Sequence, residues 1–180
     1  GIIYSNLPLD DPLIRAIDKG IMPGTTSSHH LHRIAALVVT LREYQIHGQP
    51  YASQTIKNAQ ALAEALDSYG LTPDAKEFGY TRSHQVALNV RKVTGEPAKT
   101  VERLLEESGI FANSNALPYD KSVFDTSGIR IGTPEVTIQG MKEAEMDIIA
   151  WMFSQVIINR RNVSVEARDL ARKFPNRNYA

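Results

Sequence analysis

Arg130 lies in Thr126-Ser127-Gly128-Ile129-Arg130-Ile131-Gly132-Thr133-Pro134, a single cation inside a short apolar run between two glycines. Such a strand buries the guanidinium, and burying it without an anion is costly, so a partner must exist. Its fork of donors matches a carboxylate in two parallel hydrogen bonds, and glycines on either side let a ligand or a neighbouring backbone come close. Two readings follow: a clamp for a ligand carboxylate, or a structural salt bridge to a local Asp or Glu. A second candidate is Gly24-Thr25-Thr26-Ser27-Ser28, which leads into a helix. Free N–H groups at a helix start, with hydroxyls beside them, can cradle a phosphate; the same residues can serve as an ordinary serine cap. His29, His30 and His32 are one and two residues apart. Helical metal ligands sit three or four apart, so these are not expected to hold a metal. Asn113-Ser114-Asn115 in a polar stretch could touch a ligand, although asparagine favours loops in any case. The sequence carries no Walker-type phosphate loop, dinucleotide fingerprint or serine nucleophile elbow.

The elements that must position these residues are legible in part. Gly1 to Ser5 reads as a short buried strand without a partner before it, which suggests a piece of something longer. Asp11 is placed to cap a helix over Pro12 to Lys19. A helix is expected from about His30 to His47, apolar on most sides through Ile34, Leu37, Val38 and Leu41 and so buried between layers, with Gly48-Gln49-Pro50 as its stop. A second helix spans about Ala52 to Tyr69, closed by Gly70. Beyond it come a strand at His84 to Val90, a helix at Ala98 to Ser108, a short strand at Ile110 to Ala112, a polar loop at 113–124, a strand at Gly128 to Gly132, and helices near Met141 to Ile158 and Ser164 to Lys173. This order predicts an α+β sandwich with helices over a small antiparallel sheet, and a domain boundary near 70, dividing 1–70 from 71–180.

Composition narrows the classes. The 180 residues are 42% apolar and 22% charged, with 20 basic and 20 acidic side chains and no net charge. That balance gives no broad basic footprint for nucleic acid, and no apolar stretch is long enough for a membrane span. There is no cysteine, which removes disulfides, thiolate metal sites and thiol nucleophiles and fits a cytoplasmic setting. Asn162-Val163-Ser164 matches a glycosylation sequon and is read as coincidence.

The segment from Thr126 to Pro134, followed by Gly140-Met141-Lys142-Glu143, closely resembles a signature of the serine hydroxymethyltransferases. Met22-Pro23-Gly24 with His32, Ile34 and Ala35, then Tyr51 through Leu66 with Lys57-Asn58-Ala59 and Leu62-Ala63, then Asn113-Ser114-Asn115 through Pro118 and Asp120, resemble further family segments in the same order. The resemblance implies the C-terminal part of a fold-type I pyridoxal-phosphate transferase: the last strand and interdomain helix of a large domain, then a small α+β domain. It implies Arg130 as the grip on the substrate carboxylate, and Ser27 and Ser28 at the place of a glycine pair that meets the cofactor phosphate of the neighbouring subunit. It puts Asn115 near the folate ring. The cofactors implied are pyridoxal 5'-phosphate and, as co-substrate, tetrahydrofolate or a related pterin; the assembly implied is a homodimer. The family's Schiff-base lysine falls before the position of Gly1, so no catalytic residue is expected in this chain and the chain alone is expected to be inactive. Two alternatives stay open: a pterin-independent aldolase or transaldolase of β-hydroxy amino acids, since Thr25 to Ser28 stand in place of the family's glycine-rich loop, and a non-catalytic interaction module.

Overall fold

The structure is a computed structural model and describes residues 3–28 and 30–179. The chain divides into two compact units, Gly1–Arg42 and Glu43–Ala180. The helix before Gly70 contributes Ala59, Leu62, Ala63 and Leu66 to the same core as the sheet.

In the first unit, α1 spans Pro12–Lys19. Proline opens it without wasting a donor, and the Asp11 carboxylate accepts from the Leu13 N–H at 2.8 Å. A wide turn over Gly20–Thr25 follows, in which the Thr25 and Thr26 hydroxyls donate to the carbonyls of Gly20 at 3.0 Å and Ile21 at 2.7 Å. The expected opening strand is not found. Ile3 to Ser5 carry no regular structure, and Gly1 and Ile2 lie outside the described residues. A strand needs a partner to satisfy its backbone, and none of the described strands pairs with this segment.

Helix α2 runs unbroken over Leu31–Ser68, with Pro50 inside it. The two helices expected on either side of Gly48-Gln49-Pro50 are therefore one. Proline removes one N–H from the ladder, which a long helix anchored by packing on its far half can tolerate. At Gly48 a Cβ would stand 2.9 Å from Cδ1 of Tyr44. The helix ends in a left-handed Gly70 (φ +82), where the N–H groups of Leu71 and Gly70 donate back to Leu66 and Asp67, each at 3.0 Å; this is a Schellman closure. The first half of α2 does not bury its apolar residues within this chain: Ile34, Val38 and Val39 are more than half exposed.

The second unit carries β1 (Gln85–Asn89), α3 (Arg91–Thr94), α4 (Ala98–Glu107), β2 (Asn113–Asn115), β3 (Gly128–Gly132), α5 (Pro134–Ile138), α6 (Glu143–Ile157) and α7 (Ser164–Arg172). The three strands form an antiparallel sheet in the order β1-β3-β2. Val86, Leu88, Ile129 and Ile131 point inward and meet the buried faces of α2, α4 and α6 in one apolar cluster centred on Leu62, Leu105, Met146 and Phe153. The strand expected at Ile110 to Ala112 lies instead at Asn113–Asn115. Polar residues can hold an edge strand when one face stays wet, and Ser114 satisfies its hydroxyl on Glu102 at 2.5 Å. The sequon asparagine, Asn162, is engaged with its own fold, donating to the Glu107 carbonyl at 3.0 Å and accepting from the Ser164 N–H at 2.9 Å. Among the described residues no helix is long and apolar enough to cross a membrane.

Candidate functional site

Strand alternation decides which side chains leave the core. In β3 the inward positions belong to Ile129 and Ile131, which are 0% and 7% exposed, so Arg130 emerges on the opposite face and is exposed. This corrects the expectation of a guanidinium buried in an apolar strand: the period of two puts the cation on the wet side. Among the described residues no carboxylate lies within ion-pair distance of Arg130, so the structural salt-bridge reading finds no partner. Arg130 pairs in register with Ala87 on β1 and Asn113 on β2. The small Ala87 leaves space beside the guanidinium, and a cleft of about 440 Å³ opens there, walled by Asp74, Tyr80, Ser83, Gln85, Asn115 and Arg130.

Asn115, the last residue of β2, lines this cleft just before the 12-residue connector 116–127 that leads to β3. It stands opposite Gly128 in the sheet, where a Cβ would come within 2.6 Å of Leu117 Cγ and 2.8 Å of the Asn115 carbonyl oxygen. Glycine is thus required for the connector to lie flat on β3. The connector's base is tied by Asp120, whose carboxylate accepts from the Ser127 hydroxyl at 2.6 Å, the Ser127 N–H at 2.8 Å and the Leu117 N–H at 2.9 Å. The Ser127 hydroxyl bond, with the backbone donors behind it, holds the Asp120 carboxyl below the usual range. Arg91 grips Asp125 through Nη1 and Nη2, and its Nη2 also donates to the Thr126 carbonyl at 3.3 Å, fixing the strand just before Arg130.

The exit of β3 is anchored to α2 by a buried polar network. The Thr133 hydroxyl donates to the Thr55 carbonyl at 2.8 Å. Asn58, fully buried, donates to the Thr137 hydroxyl and to the Met141 carbonyl, each at 2.9 Å. Tyr51 donates to the Pro134 carbonyl at 3.1 Å. Every buried donor here has an acceptor, which is what lets such a network specify one arrangement.

Of the residues singled out from the sequence, Arg130 and Asn115 share this cleft. Ser27 and Ser28 belong to the first unit, where both are exposed. Unlike Thr25 and Thr26, their hydroxyls have no hydrogen-bond partner among the described residues. The rings of His30 and His32 meet edge to face at 5.7 Å, and His29 lies outside the described residues. Among the described residues no group of three His, Cys, Asp or Glu could hold a metal ion. The cleft residues Gln85 and Ala87 were open to discovery by the alternation of the His84 to Val90 strand, which places them on the face of Arg130. Asp74 and Tyr80 come from a loop whose pairing with the sheet no local pattern announces.

The serine hydroxymethyltransferase family model matches residues 9–153. Serine hydroxymethyltransferase of Saccharolobus solfataricus is 43% identical over 166 residues, covering 91% of this chain and 37% of that protein. That of Pyrobaculum neutrophilum is 48% identical over 149 residues, covering 83% and 34%. Among solved structures, L-threonine transaldolase from Pseudomonas fluorescens superposes with a TM-score of 0.79 at 23% identity, over 96% of this chain and 38% of that one; this is a likeness of fold. An antiparallel β1-β3-β2 sheet under helices, preceded by a long helix, is the C-terminal α+β portion of a fold-type I pyridoxal-phosphate enzyme. The chain belongs to the serine hydroxymethyltransferase family, and it spans a little over a third of the length of the relatives it matches (37% and 34%).

Proposed function

We propose that the intact enzyme carrying this chain converts serine and a tetrahydropterin reversibly into glycine and a methylene-tetrahydropterin, with pyridoxal 5'-phosphate as cofactor. The observation that carries this reading is Arg130: a guanidinium without an ion-pair partner among the described residues, held on a rigid strand at the mouth of a cleft. Arg130 binds the amino acid carboxylate in two parallel hydrogen bonds and so orients the Cα–Cβ bond to be broken, a positioning role. When bound, pyridoxal phosphate supplies the electron sink for that cleavage. Asn115 donates or accepts at the pterin edge from the same cleft. Ser27 and Ser28 bind the cofactor phosphate from the neighbouring subunit of a homodimer, through backbone N–H groups and hydroxyls. In the intact enzyme residues 1–70 close the large domain and 71–180 form the small one. The setting is cytoplasmic one-carbon and amino acid metabolism.

Arg130→Lys in the intact enzyme tests the assignment. Loss of the bidentate fork lowers kcat/KM for serine by about 10- to 100-fold, the equivalent of one charged hydrogen-bond pair, with KM raised and turnover reduced. Unchanged serine kinetics would overturn it. The 180-residue chain alone, supplied with pyridoxal phosphate, is expected to cleave no serine; measurable glycine formation by the purified chain would refute that. Product formation by the intact enzyme that does not depend on a pterin would shift the reading to an aldolase or transaldolase.

A further inference from the structure

Tyr119 follows Pro118 in the β2–β3 connector, and its hydroxyl is clamped from two sides. It donates to the Asp74 carboxylate, 2.9 and 3.0 Å from the two oxygens, and accepts from Asn89 Nδ2 at 2.5 Å. Asn89 is 3% exposed and cannot drift, since its Oδ1 accepts from the Lys92 N–H at 3.0 Å and its carbonyl from the Thr72 hydroxyl at 2.5 Å. Burial raises the Tyr119 hydroxyl above its ordinary range, so it remains a donor at neutral pH.

Asp74 is itself tied to the sheet, donating its N–H to the Ala87 carbonyl at 2.8 Å beside Arg130. The loop it opens holds two L side chains in the left-handed region, Ala75 at φ 59 and Tyr80 at φ 64. Such conformations persist only where surrounding contacts over-determine them. The Arg130 cleft, about 440 Å³, and a neighbouring cavity of about 540 Å³ that reaches Lys76 and Lys92 share Asp74, Ala75 and Pro118 as their common wall. The Tyr119–Asp74 bond joins the two loops that make this wall.

We propose that Tyr119 is a positioning residue that latches the β2–β3 connector to the 72–80 loop, keeps the two cavities apart and so sets the room available to a ligand at the Asn115 end of the Arg130 cleft. The inference rests on the functional reading only in what fills that end, a pterin. The latch itself stands on the contacts of this chain.

Three variants test it. Tyr119→Phe removes only the hydroxyl, Asp74→Ala removes the acceptor, and Asp74→Asn keeps an acceptor oxygen. In the 180-residue chain, amide exchange across 72–80 and 113–127 rises about five- to tenfold for Tyr119→Phe and Asp74→Ala, as expected for one lost hydrogen bond to a charged group, while Asp74→Asn restores protection. In the intact enzyme, Tyr119→Phe raises the KM for the tetrahydropterin by about the same factor and leaves kcat within about twofold, a split a general loss of structure does not give. Exchange unchanged in Tyr119→Phe, or Asp74→Asn as damaging as Asp74→Ala, overturns the latch. If exchange rises as stated but the intact enzyme proves indifferent to serine and pterin, the functional reading fails and the latch stands. If Arg130→Lys impairs serine kinetics while Tyr119→Phe leaves both exchange and pterin KM unchanged, the latch fails and the functional reading stands.

Discussion

Gly128→Ala puts the site's construction to a direct test. A Cβ at 128 would meet Leu117 Cγ at 2.6 Å, Leu117 Cδ2 at 2.7 Å and the Asn115 carbonyl oxygen at 2.8 Å. Two of these contacts are with a side chain and can be relieved by moving it. The third is backbone of the paired strand and can be relieved only by lifting β2 off β3. Overpacking of this kind costs about 1–3 kcal/mol, and for a chain of this size each kcal/mol shifts the midpoint by about 2–4 °C. Thermal unfolding of the 180-residue chain, followed by circular dichroism, should therefore show the variant melting about 2–12 °C below wild type. Leu117→Ala removes the side-chain part of the clash. In that background the cost of Gly128→Ala should fall by about 1 kcal/mol but not vanish, a coupling that a double-mutant cycle reads. A Gly128→Ala chain as stable as wild type, or an equal cost in both backgrounds, would refute the account of how Asn115 is seated.

Two further outcomes follow from the contacts around the site. Asn58→Ala leaves the Met141 carbonyl without its donor in a fully buried place and should cost about 2–3 kcal/mol in urea unfolding; Asn58→Asp should cost more at neutral pH, where an acceptor-only carboxylate faces that carbonyl, and the gap should narrow in acid as the group gains a proton to donate. Asp120, held below its ordinary value of 3.8 by the Ser127 hydroxyl and backbone donors, contributes stability that is fully present above that value and is lost as pH falls through the lower folded-state one. The difference in midpoint between wild type and Asp120→Asn should thus be constant near neutrality and shrink below pH 3.8; a difference independent of pH down through that range would count against the Asp120 clamp.

The parts of the fold that the sequence disclosed are those governed by local rules. Asp11 before Pro12 announces α1, and the strand containing Arg130 is bounded by its own glycines. The residues that misled were ones whose local signal is overruled at a distance. Pro50 reads as a stop, yet α2 continues through it because Thr55 to Leu66 are fixed by the core beyond. Ile110 to Ala112 is apolar enough for a strand, but the register with β3 selects Asn113–Asn115. Ile34 to Leu41 reads as a buried helix and is largely exposed in this chain. Arg130 stands out in the sequence by its unusual company, while the side it faces depends on which neighbours the alternation sends inward. Tyr119 and Asp74 stand 45 residues apart, and nothing but the folded chain brings them together.

The strand order has a consequence for how the chain is made. The middle strand of the sheet, β3, is the last of the three to be synthesised. When β1 leaves the ribosome only the 72–74 segment, bridged to it at Pro73 and Leu88, is there to pair with it, and β2 cannot pair with it directly, because the place between them is reserved for residues 128–132. Both edges must wait for β3, although the α2 residues that share a core with Val86 and Leu88 are made before β1. The three-stranded sheet therefore forms in one late step instead of growing strand by strand, and in a nascent chain halted before residue 128 β2 has no strand to pair with while β1 holds only the 72–74 segment.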